Sequence, residues 1–259
     1  MPTLFTALQN HPKIKTFDLS SLKFCLSGGA PLPVEVKQKF EDLTGCKLVE
    51  GYGLSETSPV VTCNPLDGPK RSGKIGIPLP ATYISLRSLD DADVEVPQGE
   101  KGEVCIAGPQ VMKGYWNRPK ETADVFTKDG FLRTGDVARM DEDGFFAIED
   151  RIKDLIICSG YNVYPRQIEE RIYEIPEVEE VTVIGIKDKY RGEAPKAFIK
   201  IKDGQHLTVE QVMAHLEKKI SRIELPSEIE FRAALPKTMI GKLSKKELKQ
   251  EEAARQAKG

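Results

Sequence analysis

The chain reads as a mixed protein, α/β passing into α+β, and three changes of texture along its 259 residues predict this. Residues 1–70 alternate strand and helix patterns. Residues 71–152 hold short strands cut by Gly, Pro and Asp-Gly, and residues 153–259 interleave helices with strands. A chain of this length accommodates one large domain or two small ones. The expected architecture is an α/β piece, then a β-rich part that is antiparallel or barrel-like, then a small α+β domain.

In the first part, Leu22, Phe24 and Leu26 alternate as a strand that ends at Ser27-Gly28-Gly29-Ala30-Pro31. A helix starts near Pro33, with Val36, Phe40 and Leu43 on one face and Gly45 as its stop. Lys47-Leu48-Val49 is a second strand running into Gly51-Tyr52-Gly53. In the middle part, Ile84/Leu86 and Val104/Ile106 alternate, while Asp129-Gly130 and Asp143-Gly144 sit between apolar runs as hairpin turns do. In the last part, Leu155-Ile156-Ile157 is a strand, and a helix with Pro165 in its first turn carries Ile168, Ile172 and Ile175. Val181/Val183 and Phe198/Ile199/Ile201 are further strands. Thr208 with Gln211, and Ser244 with Glu247, form capping-box patterns ahead of two helices.

Composition removes several function classes. Apolar residues at 39% and charged residues at 30% exclude disorder of the whole chain. Thirty-eight basic residues against 40 acidic ones leave a net charge of −2, with no footprint for nonspecific nucleic-acid binding. No apolar run approaches the roughly 20 residues needed to span a bilayer, and the N-terminus lacks a signal-peptide core. The five cysteines show no CxxC spacing, so reduced thiols and a cytoplasmic location are expected. The three histidines lie far apart, which excludes a metal cluster or triad built on local spacing.

Three segments are polar beyond what a fold requires. Residues 51–58, Gly-Tyr-Gly-Leu-Ser-Glu-Thr-Ser, offer glycines for close backbone approach, Tyr52 for a planar base, Ser55 for a phosphate oxygen and Glu56 as a hard ligand for Mg2+. They also read as a glycine turn and a helix capped by Ser55 or Thr57. Asp136, after Gly135, suits the paired hydroxyls of a ribose, or equally caps a turn. Lys242 follows Gly241 in a loop before the final helix. It is a mobile point charge suited to a developing negative centre, or one more lysine beside Lys245, Lys246 and Lys249.

The set and its order go further than any one segment. SGGAPL (27–32), GYGLSETSPVVTCNP (51–65), KGEVCIAGPQVMKGYWNRPKET (101–122), the stretch 129–169 and LPKTMIGKLSKKEL (235–248) together resemble the adenylate-forming enzymes. The chain is most similar to the C-terminal portion of long-chain fatty acid–CoA ligases. The resemblance implies ATP-driven activation of a carboxylate to an acyl-adenylate, with Mg2+, followed by transfer of the acyl group to coenzyme A. It implies a truncated large domain over 1–70 and 71–152, and a mobile C-terminal domain over 153–259. Gly28, Gly29, Ala30, Pro31, Tyr52, Gly53, Ser55, Asp136, Ile148 and Arg151 would surround the nucleotide. Glu56 would help hold Mg2+, and Lys242 would stabilise the carboxylate and α-phosphate.

Lys153 would be the hinge, and Ser159, Gly160, Tyr161, Gly192 and Glu193 would form the coenzyme A side. The family's Ser/Thr/Gly-rich phosphate loop ending in lysine has no counterpart in the 259 residues. The resemblance therefore implies a fragment of a longer enzyme, inactive as a ligase by itself. Alternatives are a non-catalytic nucleotide- or CoA-binding or self-associating module, and a relative that activates an aryl or amino acid. Fatty acid, ATP and coenzyme A are the expected partners; a peripheral membrane contact and an oligomer are left open.

Overall fold

The computed structural model describes residues 2–30, 32–68, 71, 73–238 and 243–256, so that Pro31 and Lys242 lie outside the described residues. The chain divides into two compact units, 1–148 and 149–259.

The N-terminal unit begins with α1 (Pro2–Gln9), which the sequence pattern does not announce. Its Phe5 meets Phe40 edge-to-face, with ring centroids 4.9 Å apart. Next come β1 (Phe24–Ser27), α2 (Val34–Thr44), β2 (Lys47–Gly53), β3 (Val60–Cys63) and β4 (Ile77–Pro78), whose strands lie side by side in chain order. Strands β1 and β2 are parallel, with Ser27 opposite Glu50, and β2, β3 and β4 continue antiparallel. Gly45 stops α2 as its composition predicts: it is left-handed at φ 69°, and its N–H caps the Glu41 carbonyl at 2.8 Å. Alternation in β1 produces a strand, but Phe24 (56% exposed) and Leu26 (39%) face outward while Cys25 and Ser27 face inward.

A second sheet comprises β5 (Tyr83–Arg87), β6 (Lys101–Ala107), β7 (Leu132–Met140) and β8 (Phe146–Arg151), with α3 (Pro119–Asp124) between β6 and β7. Ile84 pairs opposite Ile106 and Leu86 opposite Val104, so the alternating residues meet on one face. The barrel-like expectation for this part is corrected. The described strands run in the open order β5-β6-β7-β8, and four strands are too few to close around a filled interior. Gly130 and Gly144 take the positive φ that their Asp-Gly turns require.

The C-terminal unit continues with β9 (Ile156–Cys158), β10 (Tyr161–Val163), α4 (Pro165–Tyr173), β11 (Val178–Asp188), β12 (Gly192–Ile201), α5 (Val209–Leu216), β13 (Glu228–Phe231) and α6 (Lys245–Gln256). Its five strands form one sheet in which β12 borders β9, β11 and β13. One face packs Val181, Val183, Ala197 and Ile199 against Ile168, Ile172, Val212 and Leu216 of α4 and α5. The other packs Ile184, Ile186 and Phe198 against Leu235 and Leu248. Each fully buried Ile or Leu side chain stabilises by about 1.5–3 kcal/mol, so this double-sided core is a large term. The Thr208 box forms as its pattern predicts: Thr208 Oγ1 accepts the Gln211 N–H, and Gln211 Oε1 accepts the Thr208 N–H.

Candidate nucleotide site and the C-terminal hairpin

In the N-terminal unit, site residues gather because two parallel strands end together. Strand β1 turns at Gly28 beside Gly51 of β2, and a Cβ on Gly28 would stand 3.1 Å from the Gly51 carbonyl. The Gly29 turn has φ 79°, and Glu50 Oε1 accepts the Leu32 N–H at 3.2 Å, tying the far side of that turn to β2. Ligands in α/β sheets favour such carboxyl ends of strands. The glycine of Gly53 answers a need within the chain. A Cβ there would sit 1.7 Å from the Pro59 carbonyl oxygen, so β2 can fold back on 59 only without a side chain.

Tyr52 rests against the apolar cluster of Val61, Val104, Ile106, Ala138 and Phe146, as does Ile148. Its phenol donates to Asp136 Oδ2 at 2.6 Å, across 84 residues of sequence. Asp136 is 4% exposed, and its N–H donates to Thr134 Oγ1 at 3.1 Å. Gly28, Gly29, Tyr52 and Gly53 are thus carried by strand ends and turns, and Asp136 and Ile148 by the middles of β7 and β8, all within one unit. A buried charge-assisted bond of this kind is among the stronger hydrogen bonds.

Glu56 lies in a short 3-10 turn, Ser55–Thr57. Thr57, not Ser55, closes that turn: its hydroxyl accepts the Leu54 N–H at 3.0 Å, which leaves Ser55 exposed. The Glu56 carboxylate accepts the Tyr115 hydroxyl at 2.9 Å, and its carbonyl accepts the Met112 N–H at 2.8 Å. Burial and the Glu56 hydrogen bond raise the Tyr115 phenol, keeping it a donor. Leu54, Glu56, Tyr115, Thr134 and Gly135 line a cavity of about 330 Å³ with Glu103 and Arg133. Arg133 grips Glu103 Oε2 through two nitrogens at 3.0 and 2.8 Å, while Glu103 Oε1 accepts the Gly135 N–H. Among the described residues no group of three metal-ligating side chains occurs. One carboxylate on a cavity wall still fits Mg2+, which is commonly held by one or two carboxylates plus phosphate oxygens and water.

Tyr115, Glu103 and Arg133 are site neighbours to which the sequence motifs assign no role. Their only signal is position: Glu103 and Tyr115 belong to the matching stretch 101–122, and Arg133 stands three residues before Asp136.

In the C-terminal unit, Ser159 and Gly160 form the two-residue loop between β9 and β10, with φ 52° and 83°. Such a loop needs positive φ at both positions, which explains Gly160 locally. The same hairpin meets the start of β12. Gly192 pairs opposite Cys158, the Ser159 N–H donates to the Arg191 carbonyl at 2.7 Å, and the Ile157 N–H donates to Glu193 Oε2 at 2.8 Å. Ser159, Gly160, Tyr161, Gly192 and Glu193 therefore share one exposed edge, with Tyr161 67% exposed. Arg151 ends β8, and Lys153 lies in the 3-10 turn immediately after it.

Known proteins resemble this chain along nearly its whole length. The AMP-binding enzyme family matches residues 1–116, and the AMP-binding enzyme C-terminal domain matches residues 167–242. The chain belongs to the AMP-binding, adenylate-forming enzymes. More particularly, it is 50% identical over 251 residues to a long-chain-fatty-acid–CoA ligase of Bacillus subtilis, covering 97% of this chain and 44% of that protein. It is 47% identical over 250 residues to the Yersinia pestis protein of the same name, with 96% and 44% covered. Its structure resembles that of ATP-bound MatB from Rhodopseudomonas palustris, with a TM-score of 0.85 and 32% identity over 96% of this chain and 49% of that one. The chain spans under half the length of the curated relatives it matches. Among the described residues no helix is long and apolar enough to cross a membrane.

Proposed function

We propose that this chain is part of an ATP-dependent, AMP-forming ligase that joins a long-chain fatty acid to coenzyme A. The observation that carries the reading is the Tyr52–Asp136 hydrogen bond of 2.6 Å, which draws a planar ring and a buried carboxylate from distant segments to one place. Tyr52 would lie against the adenine, with the Gly28–Pro31 turn beside it. Asp136, held in place by Tyr52, would take the ribose hydroxyls. Ser55 would reach the α-phosphate. Glu56, steadied by Tyr115, would hold Mg2+, which supplies charge neutralisation to the phosphates when bound. Arg151 would bind ribose or phosphate oxygen.

In the first step a carboxylate oxygen of the fatty acid attacks the α-phosphorus and pyrophosphate leaves. Lys242 would offset the charge that builds there; such placed charge is the largest catalytic term in phosphoryl chemistry of this type. In the second step the thiolate of coenzyme A attacks the acyl carbon and AMP leaves. The hairpin edge of Ser159, Gly160, Tyr161, Gly192 and Glu193 would border the thiol's path. Lys153 would be the hinge about which the C-terminal part turns between the steps.

Pyrophosphate exchange into ATP, driven by a long-chain fatty acid, tests this. The chain alone should show little or none. The chain joined to the part of the Bacillus subtilis relative that it does not match should show ready exchange. Lys242→Ala in the joined protein should abolish exchange yet largely spare thioester formation from supplied acyl-adenylate. A joined protein that folds, binds ATP and exchanges with no fatty acid would overturn the reading.

A further inference from the structure

The turn Ile152–Asp154 is held by groups that stand on opposite sides of Lys153 in the chain. Downstream, Lys249 of α6 donates to the Lys153 carbonyl at 3.2 Å and pairs with the Asp154 carboxylate at 3.0 Å. The Lys153 carbonyl belongs to the planar peptide unit it shares with Asp154, so the two acceptors move as one body with the C-terminal segment beyond them. Rotation about the backbone bonds of Lys153 therefore leaves the Lys249 contacts intact.

Upstream, Asp150 is 6% exposed, and its two oxygens are both engaged. Oδ1 accepts the Arg151 N–H at 2.8 Å, and Oδ2 accepts the Arg166 N–H in the first turn of α4, also at 2.8 Å. Beside it, Glu149 Oε2 accepts Gln167 Nε2 at 2.5 Å. The first-turn N–H groups of a helix have no partner within the helix, and a carboxylate is their natural acceptor. These contacts reach from residues 149–150 to 166–167, across Lys153. The same rotation must break them.

We propose that this asymmetry makes the hinge work as a bolt and a catch. Lys249 is a positioning residue that bolts the peptide just beyond Lys153 to α6, confining rotation to Lys153 itself. Glu149 and Asp150 are a catch that seats on α4 in this arrangement and lets go when the C-terminal part turns. The proposal deepens the ligase reading and rests on it for the existence of two arrangements.

Amide hydrogen exchange on the chain as it stands reads the contacts without any activity. Asp150→Ala should speed exchange of the Arg166 N–H at least tenfold and leave Leu155 unchanged. Lys249→Met should speed the Leu155 N–H, which donates to the Arg151 and Ile152 carbonyls at 3.2 Å and so closes the turn that Lys249 holds, by a similar factor and leave Arg166 unchanged. In the joined protein, Asp150→Ala should change the ratio of adenylation to thioester formation by threefold or more. Lys249→Met should lower both steps alike, with Lys249→Arg restoring them. Unchanged Arg166 exchange in Asp150→Ala, or a shifted ratio in Lys249→Met with none in Asp150→Ala, overturns the proposal. A wild-type joined protein without activity would instead remove the ligase reading, and the exchange rates would still decide the contacts.

Discussion

Strands β1 and β12 carry comparable apolar runs, yet one lies at the border of its sheet and the other at the centre. Among the described strands, β1 pairs with β2 alone, and its Phe24 and Leu26 face outward. Strand β12 is bordered by three strands, and every residue from Ala194 to Ile199 is buried. The difference extends to charge. Lys196 in β12 is 4% exposed and ringed by Glu228, Glu230 and Glu252 at 2.9–3.2 Å, an arrangement that only a covered sheet face imposes. An apolar alternation thus specifies a strand, and the neighbours on each side decide which face is worth burying.

The sharpest way to break this comparison is to truncate the core of β12. Phe198→Ala should cost about 3–5 kcal/mol in urea unfolding, as for other fully buried aromatics. A loss under about 1 kcal/mol would mean that the β12 face repacks freely. Next in size is Lys196→Met, which leaves the buried Glu252 carboxylate without its lysine and should cost about 3 kcal/mol. The same network has a pH signature. Burial alone would raise Glu230, but bonds from Arg255, Arg232 and Lys196 outweigh it and hold the carboxyl at about 2. A carboxylate depressed in this way stabilises the fold above its ordinary 4.5, and the contribution is lost as pH falls from there through about 2. Glu230→Gln should flatten the fall in urea midpoint across that window; an unchanged slope would place the acid sensitivity elsewhere.

Within the N-terminal unit, Tyr52→Phe removes a donor from a buried carboxylate and should cost about 1–2 kcal/mol. The same change should weaken AMP binding measured by calorimetry in the joined protein, and equal affinity would detach Tyr52 from the nucleotide. The smallest effect belongs to β1: Phe24→Ala should shift stability by no more than about 0.5 kcal/mol. A loss above about 1 kcal/mol would show that its outward face is covered in solution, erasing the contrast with β12.

Local chemistry made much of the fold legible. Gly45 ended its helix, Pro165 opened one, and the Thr208–Gln211 box formed, because each depends on backbone geometry within four residues. Helix α1 opens on Pro2, but its eight residues are too short a pattern to announce a helix; Phe5 against Phe40 holds it. The barrel-like expectation failed for a similar reason, since sheet closure is decided by strand number and pairing, not by the spacing of turns. At the candidate site, the motifs marked Tyr52, Glu56 and Asp136. They could not mark Tyr115 or the Glu103–Arg133 pair, which matter through contacts made across 59 and 30 residues.

The sequence alone determined the family of this chain, the order of its three textures and the residue types available for nucleotide chemistry. Those depend on short-range rules: periodicity, turn geometry and motifs whose chemistry is carried by neighbouring residues. Tertiary structure alone decided that Tyr52 donates to Asp136, that Glu56 leans on Tyr115, and that Lys249 and Asp150 grip opposite sides of Lys153. Each of those is a contact of about 3 Å between residues far apart in the chain. Such contacts exist only once strands have paired and apolar faces have closed, because the packing of the whole unit sets where each side chain ends.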